Sequence, residues 1–220
     1  MDLRTVDYHT AGEPFRIVVS DVGEIAGANV RERRETAGRT ERIDRVRRLL
    51  CHEPRGHADM YGCFVVAPDD EGADFGVLFW HKDGYSTACG HGTIALGAWA
   101  VESGRVAAPA DGEVDVVIDV PSGRVTARVR CAAGRVEEVA FVNVPVSVSA
   151  RAVDAGEVTV DVAWGGAFYA FVPAATFGLR VTPEDLPALI SAGRRVKAAL
   201  DGSPVSRHPR DPLGTGFVLR

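Results

Sequence analysis

The chemistry in this sequence is concentrated at Cys89-Gly90-His91-Gly92. The apolar run that follows, Thr93 to Val101, reads as a helix and sets the cysteine at its positive end. A partial positive charge there lowers a thiol's pKa and favours the thiolate, which can act as base or nucleophile. The N–H groups of Gly90 and His91 fall in the first turn, beyond the reach of the helix's own carbonyls. Such amides suit a carboxylate or a developing enolate. Glycines at 90 and 92 leave room for a ligand to approach the backbone. A base beside an anion cradle is what removal of a proton α to a carboxylate requires. A free cysteine is equally well read as a small buried hydrophobe, and the residue types alone leave both readings open.

Other constellations are weaker. Cys51, His52, His57, Cys89 and His91 have the chemistry of zinc ligands, but adjacent Cys51-His52 and the single residue between Cys89 and His91 are not ligand spacings, so no metal is expected. Glycines at 90, 92 and 97 match neither phosphate-loop pattern and no Lys-Ser/Thr follows, so no nucleotide cofactor is expected. Cys51 at a helix end, Cys63 in a strand and Cys131 beside Ala132-Ala133-Gly134 read as core residues. Glu13 and Asp59 read as ion-pair partners of Arg16 or Arg55.

Short elements must hold this segment, because 24 glycines and 12 prolines punctuate the apolar runs. Phe15 to Val22, Tyr61 to Val66 and Phe75 to Trp80 read as strands or apolar runs, and Val114 to Val120 and Val125 to Val129 alternate as half-buried strands do. Val136 to Val148 is rich in valine. Arg39 to Leu50 predicts a helix with Ile43, Val46, Leu49 and Leu50 on one face and Thr36 or Thr40 as its cap. Arg31-Glu32-Arg33-Arg34 reads as a solvated loop or face. Leu186 to Leu200 predicts a second long helix started by Thr182-Pro183-Glu184-Asp185, and Gly104 closes the helix after Cys89. A boundary between two α+β lobes is placed near Val120-Pro121, where strands resume.

Composition excludes several classes. Lys+Arg 25 against Asp+Glu 30 gives the 220 residues a net charge of −5, which argues against a nucleic-acid partner. Apolar runs stay far below the ~18 residues of a membrane span. Residues Met1 to Asp7 lack the basic start and apolar stretch of a signal peptide, and four irregularly spaced cysteines make no disulfide framework. A cytoplasmic location without membrane attachment is expected.

Four ordered motifs carry a family resemblance over residues 5 to 200. Asp7-Tyr8-His9-Thr10-Ala11-Gly12-Glu13-Pro14-Phe15-Arg16-Ile17-Val18 resembles the opening motif of the proline racemase family. Glu53-Pro54-Arg55-Gly56-His57-Ala58-Asp59-Met60-Tyr61-Gly62 resembles its second, and Tyr85 to Ala95 its first catalytic motif. Trp164-Gly165-Gly166-Ala167-Phe168-Tyr169-Ala170 is similar to a glycine-rich strand of its second lobe. The resemblance implies an α+β fold of two similar α/β lobes, like that of diaminopimelate epimerase, with the site in the cleft and no cofactor. It implies Cys89 as a catalytic thiol, with Gly90 and His91 holding the carboxylate of an imino acid. Residues 59 to 62 and 84 to 87 look closer to the trans-3-hydroxy-L-proline dehydratases than to the proline racemases or hydroxyproline epimerases.

Two departures qualify these expectations. Ala88 stands where the family has Met. The chain is also shorter than the family norm: 121–209 reads as a truncated second lobe, and 210–220 resembles the family's C-terminus, returning to the first lobe. The segment between would hold the second catalytic motif, with an opposing Cys, or Thr in the dehydratases. Its loss would expose a sheet edge that invites a homodimer. The expected function is abstraction of the α-proton of proline or hydroxyproline, with dehydration ahead of racemisation or epimerisation. The alternative is an inactive homologue that binds an imino acid or a partner.

Overall fold

The computed structural model describes residues 2–207, so the tail at 210–220 lies outside the described residues. Contacts divide the chain into Met1–Val144 and Pro145–Arg220. Both units mix helix and strand, and the first contains the large sheet.

In the first unit, β1 (Thr5–Thr10) and β2 (Glu13–Val18) form a hairpin. Its turn is made by Ala11 at φ 51° and Gly12 at φ 93°, the paired left-handed residues of a tight two-residue loop. β3 (Tyr61–Val66) joins β2 in parallel, and β4 (Phe75–His81) pairs antiparallel with β3. The two-residue β5 (Gly84–Tyr85) folds back on β4. β6 (Gly112–Val120), β7 (Gly123–Ala132) and β8 (Arg135–Val142) extend the sheet in the order β1-β2-β3-β4-β6-β7-β8. The sequence reading places a boundary at Val120-Pro121. The structure instead carries the first sheet through Val142, because Val120 to Gly112 hydrogen-bond to β7 while Phe75 and Gly76 hold β6 in parallel.

Helices cover both faces of the central strands, which explains why β4 is buried and free of polar side chains from Phe75 to Trp80. Strand periodicity sends alternate residues to opposite sides. Phe64, Leu78, Trp80 and Val18 pack with α1 (Val30–Arg39) and α2 (Glu41–Cys51). On the other side Phe15 meets Phe79, and Phe75 meets Trp99 of α3 (Gly90–Glu102). α3 is apolar on nearly all sides, as a buried helix must be. Gly97 lets it lie on the sheet, since a Cβ there would stand 2.6 Å from that of Ala127.

Three local expectations are refined or corrected. Of the two readings of Arg31 to Arg34, loop or face, the structure has the face: they lie in helix α1, which Asn29 caps by accepting from the Glu32 N–H, while Glu32 accepts from Ala28. Arg33 and Arg34 then reach the carbonyls of Ala67 and Tyr85, tying the helix to strand ends. In α2 the buried stripe is Ile43, Val46, Arg47 and Leu50, while Leu49 is exposed. Helical spacing of three and four selects Arg47 over Leu49. Its guanidinium is satisfied by Asp44 and by the carbonyls of His81 and Lys82. Thr40 is the N-cap residue of α2, as expected, but its side chain makes no capping bond; the hydroxyl donates to the Thr36 carbonyl instead.

The second unit has β9 (Ser147–Asp154), β10 (Thr159–Trp164) and β11 (Phe168–Phe171) in the order β11-β10-β9. Trp164 to Ala170 is a hairpin corner and not one strand, with Gly166 at φ 92°. Val196 and Leu200, in and just beyond α4 (Leu186–Ala199), pack on Val160, Val162 and Phe168. Asp185 occupies the start of α4 in place of Thr182, and its carboxylate accepts from the Arg180 N–H. Among the described residues no helix is long and apolar enough to cross a membrane.

Candidate active site

Cys89 is the N-cap of α3, with extended backbone at φ −155° and ψ 105°. The helix begins at Gly90, three residues before the apolar run that announces it in the sequence, so Gly90 and His91 occupy its first turn. Helix geometry leaves the first amides without a carbonyl one turn back, and the Cys89 side chain does not cap them. The Cys89 carbonyl accepts both the Thr93 N–H at 3.0 Å and the Thr93 hydroxyl at 2.8 Å, which locks the entry to the helix.

The approach to Cys89 is held from several elements. β5 returns along β4, and the Ser86 N–H donates to the Phe79 carbonyl. The Tyr61 hydroxyl donates to Ser86 Oγ at 2.6 Å, and Ser86 Oγ lies 3.4 Å from the Ala88 carbonyl. The Thr10 hydroxyl, at the end of β1, donates to the His91 carbonyl at 3.0 Å.

Cys89 is 7% exposed, and its thiol lies against the His91 imidazole. Its Sγ stands 3.4 Å from Nδ1 and 3.9 Å from Nε2. A partner in line with the Nδ1–H bond would stand much farther from Nε2, so the sulfur sits over the ring face. Nδ1 faces Glu13 Oε2 at 3.2 Å, with the His91 side chain 8% exposed and that of Glu13 44% exposed. Phe15 and Tyr61 meet the ring edge-on, at centroid distances of 5.8 and 5.3 Å.

The sequence-derived residues Cys89, Gly90 and His91 are therefore together, but Gly92 serves a different purpose from the one expected. A Cβ at Gly92 would stand 2.4 Å from the Phe15 ring and 2.8 Å from Cys89 Sγ, so the glycine makes room for protein atoms, not for a ligand. At Gly90 a Cβ would meet only the Phe141 ring, at 3.4 Å. The expected partners of Glu13 are also corrected. Arg16 pairs with Asp7 and donates to the Leu50 and Arg55 carbonyls, while Glu13 faces His91. The signal for Glu13 lay in the Ala11-Gly12 turn, which returns the chain to the sheet, with Phe15 two residues on and facing α3.

Cys51 and Cys63 are held toward the protonated form. Burial, then the neighbouring Cys89, raises the Cys63 thiol well above its ordinary value. Burial pushes Cys51 up to about 11 against the pull of Arg47. Among the described residues no three His, Cys, Asp or Glu side chains converge as a metal-ligand set.

Comparison with known proteins gives a consistent result. The family model described as proline racemase matches residues 5–218. A trans-3-hydroxy-L-proline dehydratase of Bacillus cereus is 42% identical over 93% of this chain and 62% of its own length. A 3-hydroxyproline 2-epimerase of Burkholderia multivorans is 45% identical over 96% of this chain and 63% of its own. Among solved structures, a hydroxyproline epimerase from Agrobacterium vitis with bound trans-4-hydroxy-L-proline superposes with a TM-score of 0.86 at 25% identity, covering 98% of this chain and 64% of that one. The chain thus spans just over three-fifths of the length of these relatives. The matched span and the ordered motifs around Cys89 make the chain a member of the proline racemase family.

Proposed function

We propose that Cys89, as thiolate, removes the α-proton of a pyrrolidine-2-carboxylate, and that the reaction is dehydration of trans-3-hydroxy-L-proline. The observation that carries this reading is the seat of the sulfur: at the N-terminus of α3 and over the face of His91. A helix N-terminus and an adjacent imidazole both favour the anionic form of sulfur. The amides of Gly90 and His91 would receive the substrate carboxylate, whose negative charge grows as the α-carbon is deprotonated. Each well-aimed donor can supply roughly 3 kcal/mol there.

In the dehydration the thiolate takes the α-hydrogen and the electron pair forms the C2–C3 double bond. The 3-hydroxyl leaves as water with the proton that Cys89 has taken up, which returns the thiolate. The resulting enamine moves a proton from nitrogen to C3 and becomes the cyclic ketimine. One base and a protonated leaving group suffice, and no cofactor enters the balance. Racemisation or epimerisation is the second reading, favoured by the 45% identity to an epimerase. It needs an acid on the opposite face of the α-carbon, and Cys63 is unsuited because it is fully buried in the core.

The test is incubation of the purified chain with trans-3-hydroxy-L-proline, trans-4-hydroxy-L-proline and L-proline, scored for ketimine and for epimer. Ketimine from the 3-hydroxy substrate, absent with Cys89→Ser, is the expected result. Epimer without ketimine selects the second reading. Saturable binding without either product makes the chain an imino-acid binder and contradicts both.

A further inference from the structure

We propose that Glu13 is a positioning residue that holds His91 as an imidazolium over the Cys89 sulfur, so that a carboxylate on β2 keeps the thiol ionised. The inference rests on the reading of Cys89 as the base and extends it to the group that sets its charge. Glu13 Oε2 lies 3.2 Å from His91 Nδ1, close enough for an N–H donated in the ring plane. The sulfur lies over the ring face, 3.4 Å from the same nitrogen. The same ring nitrogen thus has both the carboxylate oxygen and the sulfur within 3.4 Å.

Each contact serves this arrangement. A carboxylate on one imidazole nitrogen favours the protonated ring, and a cation beside a thiol favours the thiolate. Burial of the ring limits the screening of its charge, although the exposure of Glu13 weakens its own pull. Tyr61 on β3 directs its hydroxyl to Ser86, Phe15 on β2 offers a ring edge, and Cys63 beside Cys89 is a neutral thiol. Thr10 fixes the His91 backbone.

The test follows the sulfur directly. Carbamidomethylation of Cys89 by iodoacetamide is measured by peptide mass spectrometry from about pH 5 to 10, the range in which a thiol of this kind ionises. Glu13→Gln keeps the shape and an acceptor but loses the charge, and it is expected to move the reactivity midpoint up by about one pH unit. His91→Gln moves it at least as far, and the double variant no farther than His91→Gln alone. An unmoved midpoint in folded Glu13→Gln, or a double-variant shift equal to the sum of the two, overturns the proposal. If Glu13→Gln does not fold, proton–nitrogen correlation spectra of the wild type decide. An imidazolium at His91 at neutral pH is expected, and a neutral ring overturns the proposal. Neither readout uses substrate, so a wild type that turns over no imino acid defeats the functional reading without deciding the role of Glu13.

Discussion

Cys89 shares its space with Gly92 and Phe15 so closely that the position of the sulfur depends on a missing side chain. A methyl group at 92 would fall 2.8 Å from Sγ and 2.4 Å from the Phe15 ring. Both neighbours are buried, and Phe15 is fixed by Phe79 behind it. The added methyl therefore presses on the sulfur as well as on the ring. Gly92→Ala is expected to cost about 1–3 kcal/mol of stability by overpacking and to displace Sγ from the His91 face. The check is a thermal or urea unfolding curve together with the rate of Cys89 alkylation at neutral pH. Loss of stability with unchanged alkylation would show that the ring, not the sulfur, makes way.

The elements that seat Cys89 depend on a brace between α2 and the end of β4. Arg47 is buried, donates to the His81 and Lys82 carbonyls, and pairs with Asp44 at 2.6 Å. Beyond those carbonyls the chain turns into β5 and the segment leading to Cys89. Hydrogen bonding from Arg47, reinforced by Arg48, holds the Asp44 carboxyl below its ordinary pKa. A carboxyl depressed in the folded state adds stability above its unfolded pKa, and that stability is lost as pH falls through the folded value. Asp44→Asn is therefore expected to cost about 1.5–3 kcal/mol at neutral pH. The gap to wild type should close in acid, below about pH 4. Melting temperatures of both proteins across this range check it, and a gap that stays constant with pH would contradict the brace.

For the molecule as a whole, the strongest periodicities were legible in the sequence. The apolar runs of β3 and β4, the alternation of β6 and β7, and the helices at 41–51 and 90–102 follow from patterns that a buried strand or helix imposes. Helix α1 was hidden because its buried residues are just Val30 and Ala37, and five charged residues in a row mask the period. Its cap, Asn29 with Glu32, was the readable signal. The division at Val144 was hidden for another reason. Strand sequences do not reveal whether a new strand joins an old sheet, and β6 does so through a short parallel pairing at Phe75 and Gly76. At the site, the thiol and the helix start are local features and were visible. Glu13 and His91 are 78 positions apart in sequence and meet only once the β1–β2 hairpin lies beside α3.

The most direct test of the account is the fate of one hydrogen. The chain is incubated with trans-3-hydroxy-L-proline carrying deuterium at the α-carbon, and label appearing in water is measured. Release by the wild type, falling at least about a hundredfold in Cys89→Ser, is the expected result. Release that survives the serine substitution would contradict the assignment of the base, and retention of the label by the wild type would contradict α-proton abstraction itself.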